Sequence, residues 1–562
     1  MKHTEKKRES VAGRERGGFL SGVFVLSVST ILVKLIGLAY KIPMLSYLGA
    51  EGMGYFNSAY EIYALLCVIS TAGLPVALSL LIAAEEEKGG VSAGYCVNRI
   101  YRCALGIFMA FGCVGALVLS CFAYRLALAI GNPLAEACIL AIAPALVFVC
   151  FSGAVRGYFQ GYRKMLPTAL SQLLEAVGKL AFGIWFASYA LKKGYEIPIV
   201  AAFAVAGLTL GTALSAGYLL FCRLREKRRA GREGSFEEQK GYRAFGTLIK
   251  IAFPITVSSA VLSVTRLLDM ALILRRLEGI GVSMARANEI YGAYTTLALP
   301  VFSLIPALVT PVSLSLLPRL SAAVEGGNHR AQTQVVSDSL RLTVLLAMPA
   351  SFGIALYATP ILSLLFAGQS QAVAVAAPLL SVLGPSVLFS CLITTTNAVL
   401  QAYRRTGLPI LSMAVGAAVK ALSAWILIGN PDVGVYGAPV STFLCNLTVI
   451  LMNMIFLYRL VPHAGEVLRI FFRPFAASVC SLGISYAVYF LLLFRHPALA
   501  FPVAFVIAVP AYLFFALLTR SVTKEDLLLI PGVRRLGFLR EEKTKTKETA
   551  AFSEPPPKRK ES

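Results

Sequence analysis

Eight charged residues stand inside otherwise apolar stretches of this chain: Lys34, Glu61, Glu175, Lys179, Arg266, Asp269, Arg341 and Lys420. A charge near the middle of a membrane-spanning helix costs at least about 2.5 to 3.5 kcal/mol, so each of these needs a cavity or a partner. Five are cations and three are acids. The positive excess suits an anion such as a phosphate or diphosphate, bound by Lys34, Lys179, Arg266 and Lys420 with Arg341 as a further contributor. Glu61, Asp269 and Glu175 are left as charge partners or as ligands for a coupling ion, sodium or proton. No cofactor is expected.

The local spacing divides these residues. Glu175 and Lys179 are four apart with the acid first, the favourable order for an ion pair on one helix. Lys420 has Gly416 and Ala417 where such an acid would stand, so it lacks a partner on its own helix. Ser259, Ser263, Arg266 and Asp269 or Met270 fall at steps of three and four, a polar stripe down one helix face that fits either a wet cavity or a packing seam with an Arg266–Asp269 pair. Lys250 lies close enough to a helix end to snorkel.

The elements that carry these residues are membrane helices. The 562 residues are 57% hydrophobic and 14% charged, with a mean hydropathy of +0.73, far from the roughly 25% charge of soluble domains. Fourteen apolar runs, each about 20 residues or longer, lie between residues 19 and 519. That length crosses a hydrocarbon core of roughly 30 Å as helix. The expected organisation is a basic cytoplasmic N-terminus (1–18), a first six-helix lobe (19–222), a cytoplasmic linker (223–246), a second six-helix lobe (247–459), two further helices (460–519) and a basic tail (520–562) with the composition of a disordered segment. The run at 19–40 is too long for a cleaved leader and reads as a retained helix.

A net charge of +23 invites a nucleic-acid reading, and its distribution rejects it. With the N-terminus cytoplasmic, 38 Lys and Arg fall in segments on that side, 8 on the other and 6 inside the runs. This is the positive-inside bias, and it puts both termini in the cytoplasm. The loop Arg275–Glu289 is the one departure, with three arginines on the outer side. Eleven cysteines without a CxxC pair and four scattered histidines give no metal or disulfide framework. Short outer loops without clustered carboxylates leave no room for glycosyl chemistry, and no phosphate-binding loop of the nucleotide-hydrolysing kind is present, so a transporter is favoured over an enzyme.

The chain repeats itself. Residues 158–180, YFQGYRKMLPTALSQLLEAVGKL, return as 399–422, VLQAYRRTGLPILSMAVGAAVKAL, so Tyr162, Arg163 and Lys179 match Tyr403, Arg404 and Lys420. Ala59, Tyr60 and Pro75 match Ala293, Tyr294 and Pro311, and Lys34 falls opposite Arg266 at an offset of 232. Each copy spans an even number of helices, so the copies enter the membrane from the same side, the parallel-repeat plan of transporters that rock around a central site. The twofold axis would then bring matched cations toward one cavity.

The segments ILVKLIGLAYKIPMLSYLGAEGMGYFNSAYEIYALLCVISTAGLPVALS (31–79) and EIYGAYTTLALPVFSLIPALVTPVSLSLLPRLS (289–321) carry a family likeness. Through them the chain resembles the multidrug/oligosaccharidyl-lipid/polysaccharide exporter superfamily, in the branch of stage V sporulation protein B and the MurJ-type lipid II flippases. The resemblance implies a fourteen-helix bundle that flips an undecaprenyl-diphosphate-linked saccharide, among membrane lipids and as a monomer, with Lys34 at a family cation position. It implies that the last two helices line a groove for the lipid tail. Tyr40, Lys41, Tyr55 and Arg266 depart from the pattern, which leaves the saccharide headgroup open. A cation-coupled drug or metabolite antiporter of the same superfamily is the alternative.

Overall fold

The computed structural model describes residues 2–88, 91–229, 244–461, 467–519 and 521. The middle of the expected linker, 230–243, and the tail from 522 onward lie outside the described residues. What is described is helical, with no strand among these residues. In chain order the helices are α1 (Lys2–Thr71), α2 (Gly73–Lys88), α3 (Val91–Cys121), α4 (Ala123–Ala129), α5 (Glu136–Ile142), α6 (Ala145–Gly161), α7 (Leu166–Lys192), α8 (Ile197–Arg229), α9 (Ala244–Gly279), α10 (Met284–Ala293), α11 (Leu299–Glu325), α12 (His329–Leu356), α13 (Ala358–Leu365), α14 (Ser370–Ala402), α15 (Gly407–Ile428), α16 (Gly437–Leu460), α17 (Val467–Leu493) and α18 (Pro497–Leu518). Among the described residues, eleven helices are long and apolar enough to cross a membrane. A twelfth arises if the pair Pro133–Ile142 and Ala145–Gly161, bent by 41°, is one span.

Several boundaries differ from expectation. The loop expected between the runs 19–40 and 55–83 does not exist: α1 stays helical on both sides of Gly49, which alone leaves the helical region at φ 65° and ψ 178°. Only glycine takes such a backbone without a Cβ clash, so one residue does the work of a loop. The helix also begins at Lys2 rather than near residue 19. Between α10 and α11 the segment Tyr294–Ala298 is a π-helix, a widened turn where sequence periodicity reads a continuous span.

The repeated Tyr-Arg segment builds the same turn twice. After α6 the amide of Lys164 donates to Phe159 O at 2.9 Å, and after α14 that of Arg405 donates to Leu400 O at 3.1 Å. The intervening Arg163 and Arg404 take left-handed backbones, φ 57° and 58°. This is a helix end of the Schellman type, in which glycine is the usual occupant.

The fold divides into two compact units. The first holds residues 1–343 and 350–464, with every charged residue discussed above. In it α7 packs along α8 and α15 along α16. The α7–α8 contact is close because Gly211 faces the backbone of Lys179, where an added Cβ would come within 2.5 Å of its nitrogen. Small residues of this kind let membrane helices touch backbone to backbone. The second unit, 344–349 with 465–562, holds α17 packed along α18; Ser485 Oγ donates to Ala504 O at 2.8 Å and Tyr512 Oη to Leu345 O at 2.7 Å.

Candidate substrate site

In the N-terminal half the acid is shared by two cations. Glu175 on α7 accepts from Lys179 Nζ at 2.7 Å through one oxygen and from Arg156 Nη2 of α6 at 2.8 Å through the other. Arg156 is held in turn by Ser171 Oγ at 2.9 Å and Ser215 Oγ at 3.0 Å. The expected Glu175–Lys179 pair is therefore present, and Lys179 is not a bare cation. Sequence reading missed Arg156, which falls one residue beyond the run 134–155 and so counts there as a loop residue. The Tyr-Arg turn at 162–163 was the available signal: it ends α6 at Gly161 and so puts Arg156 inside the helix.

The C-terminal half keeps the cation and changes the rest. Lys420 on α15 pairs with Asp269 of the neighbouring helix α9. The expectation that Lys420 lacks a partner holds only on its own helix, since spacing along one helix says nothing of its neighbours. Of the two alternatives for the α9 stripe, the one with an Arg266–Asp269 pair lacks that pair among the described residues, where Asp269 is held by Lys420. The repeat counterparts of the Arg156 cluster are neutral. Asn453 Nδ2 donates to Asn397 Oδ1 at 2.8 Å and to Thr396 Oγ1 at 2.9 Å, while Ser412 Oγ donates to Asn453 Oδ1 at 2.7 Å.

Tyr60 and Glu61 on α1 stand between the two clusters. Tyr60 lies within the electrostatic reach of Lys179 and Glu175. Glu61 lies within that of Arg266, Lys41, Asp269 and Lys420, and its Oε2 is buried with no hydrogen-bond partner among the described residues. Lys41 is a second residue that sequence reading did not place in the site, because it was assigned to the loop that Gly49 replaces. Its Nζ donates to Thr295 O at 2.9 Å. Arg266 is exposed and makes no ion pair among the described residues.

Two expected members stand apart. Lys34 is exposed on α1, seven residues before Lys41, and makes no ion pair among the described residues. Arg341 on α12 has Asp338 at 3.7 Å on its own helix, and it is not among the charges that act on Glu61. The neighbouring acid, one turn back, offsets its charge.

The centre of the first unit thus gathers Arg156, Lys179, Lys41, Arg266 and Lys420 around Glu175, Glu61 and Asp269. Two positive charges are in excess. In a bundle interior, where charges are poorly screened, such an excess is an attractive well for an anion.

Comparison with known proteins agrees with this architecture. Residues 19–324, more than half of the chain, match the family described as polysaccharide biosynthesis protein, and residues 288–426 match MatE. Stage V sporulation protein B of Bacillus subtilis (strain 168) is 24% identical over 529 residues, covering 92% of this chain and 98% of that protein. Lipid II flippase MurJ of the same organism is 23% identical over 462 residues, covering 79% of this chain and 83% of that protein. A solved structure of lipid II flippase MurJ in an inward closed conformation superposes with a TM-score of 0.68 at 16% identity, covering 88% of this chain and 99% of that one. The chain belongs to the polysaccharide biosynthesis protein family and is a multi-pass membrane transporter of the multidrug/oligosaccharidyl-lipid/polysaccharide exporter superfamily.

Proposed function

We propose that this protein flips an undecaprenyl-diphosphate-linked cell-wall saccharide, lipid II or a related polysaccharide or spore-wall precursor, across the cytoplasmic membrane. The observation that carries the reading is the excess of two positive charges at the centre of the bundle. A diphosphate diester carries one negative charge on each phosphate and neutralises that excess. Arg266, exposed and without an ion pair among the described residues, supplies the planar donor fork that fits a phosphate. Lys179 and Lys420 each hold an acid with one N–H and keep others for the ligand. Lys34 extends the cationic track along α1, and Arg341 contributes least because Asp338 offsets it.

In this reading fourteen helices form two six-helix halves and an added pair, and the halves rock around the charge cluster. Both termini face the cytoplasm, so the Gly49 end of the bundle is extracytoplasmic. Glu61, with an unpartnered oxygen among four charges, is the group placed to respond to a coupling proton or sodium ion. The similarity to stage V sporulation protein B and to MurJ supports the cargo class, and the headgroup beyond the diphosphate is set by residues outside this cluster.

The test is translocation in cells depleted of their own flippase, scored by whether an externally added lipid II-cleaving toxin releases product. Expression of this chain should restore release, and Arg266→Ala should lower it on the order of ten- to a hundredfold, the worth of a charge-assisted contact. Full release by Arg266→Ala sinks the cationic-site reading. The match of residues 288–426 to MatE favours one second reading, a cation-coupled drug or metabolite antiporter. Saturable binding of an organic cation that vanishes in Glu61→Gln would establish it.

A further inference from the structure

The π turn at Tyr294–Ala298 frees one backbone carbonyl, and a lysine from the other half of the chain takes it. The amide of Leu299, which would bond Thr295 O in an α-helix, donates to Tyr294 O instead. The next amide along belongs to Pro300 and does not exist. Thr295 O therefore has no helical donor, and Lys41 Nζ fills the place at 2.9 Å. Asn57 Nδ2 ties the same turn through Thr295 Oγ1 at 2.8 Å and Thr296 Oγ1 at 2.9 Å.

This turn adjoins the place where the two halves close on each other at the Gly49 end. An added Cβ on Gly292 would lie 1.8 Å from Ala50 O, so α1 and α10 touch without side chains between them. Asn132 Nδ2 bridges Asn288 Oδ1 at 2.7 Å and Ser58 Oγ at 3.0 Å, all three residues being fully buried. The closure has one charged member that also reaches the central cluster. Lys41 ties the π turn and lies within electrostatic reach of Glu61, beside Arg266 and Lys420.

Building on the proposed function, we infer that Lys41 is a phosphate-binding residue of the cargo site, and that its transfer from Thr295 O to the arriving diphosphate loosens the closed end. An ionised phosphate oxygen offers the ammonium a full opposite charge where the carbonyl offers only a dipole, so the lysine changes partner when cargo enters. Thr295 O is then left part-buried and unmatched, which removes the one charged tie between the π turn and α1 and leaves the Asn57 bonds to hold it. Binding at the centre and release at the end are joined through one side chain.

The experiment measures the distance between spin labels carried by non-canonical residues at Tyr195 and Asp432. Both positions are exposed; one is in each half. The full chain is held in lipid nanodiscs, and the probe is undecaprenyl diphosphate. The parent should shift toward longer distances with the probe. Lys41→Met should show the long population without probe, on the order of tenfold above the parent, and should gain nothing on its addition. Lys41→Arg, which keeps the charge and the reach, should behave as the parent and so separate the role from loss of packing. Distances in Lys41→Met that equal the parent's, with and without probe, overturn the inference. An equal probe response in both overturns it while leaving the diphosphate cargo standing. A probe response in neither overturns it together with the diphosphate cargo.

Discussion

The two lysines that the repeat makes equivalent are neutralised in different ways. Lys179 shares Glu175 with Arg156, and all three belong to α6 and α7, helices joined by a short turn. Lys420 is paired to Asp269 on α9, and the repeat counterparts of the Arg156 cluster, Asn397, Ser412 and Asn453, are neutral. Counting back 241 positions from Asn397 and Ser412 gives Arg156 and Ser171, so one polar knot is built twice, charged in one half and uncharged in the other. The acids are exchanged as well: Gly416 stands opposite Glu175 at an offset of 241, and Gly37 stands opposite Asp269 at 232. Each half has kept one acid near its lysine and changed the helix that supplies it. The N-terminal knot is consequently rigid and self-contained, whereas the C-terminal pair lasts only while α9 and α15 stay together.

Removal of the acids should expose this difference most strongly. Glu175→Gln leaves two part-buried cations facing each other and should cost about 3 to 5 kcal/mol, as breaking a buried ion pair does. Asp269→Asn strands a single lysine and should cost less, with most of the loss recovered in the double variant Asp269→Asn, Lys420→Met. Thermal unfolding of the purified protein in detergent would order the three variants. Equal losses at the two acids would mean that the knots do not differ.

Relocating the acid is a sharper and smaller test. Gly37 is exposed and an added Cβ there meets nothing within 4 Å, so Gly37→Asp with Glu175→Gly should recover part of the stability lost in Glu175→Gly alone. The reverse exchange, Gly416→Glu with Asp269→Gly, should recover none, because a Cβ at Gly416 would sit 2.3 Å from Val449 Cγ2. Recovery in both directions, read from the same unfolding curves, would show that packing around the knots does not decide where the acid goes.

The smallest effect tests what the halves have in common. A left-handed backbone costs a non-glycine residue about 1 to 2 kcal/mol, and glycine gives back part of that gain through its greater freedom when unfolded. Arg163→Gly and Arg404→Gly should therefore each change stability by under about 1 kcal/mol, and by the same amount. The exposed Arg404–Glu325 pair at 2.8 Å should not separate them, since such surface pairs are worth little. A large effect in one half alone would show that the shared turn serves only that half.

The helices were legible because apolar length is a local property of the chain. The same holds for the Glu175–Lys179 pair, four residues apart on one helix. Asp269 and Lys420 are 151 positions apart, and nothing in either neighbourhood marks the other. Arg156 was hidden by a helix end misplaced by six residues, and Lys41 by its place just past the end of the run 19–40. The π turn is invisible to any reading that assumes 3.6 residues per turn, although Pro300 and the hydroxyls of Thr295 and Thr296 are the residues that let it form.

The chain reverses direction at Gly49 on one residue, with helix on both sides. There is consequently no slack at that point for an epitope, a glycan acceptor or a protease site, and an insertion made there to map topology would break the molecule it was meant to report on. The exposed turn at Asn430, Pro431 and Asp432, where the Asp432 amide donates to Asn430 Oδ1 at 3.1 Å, is a bend that a tag can lengthen without pulling on a helix.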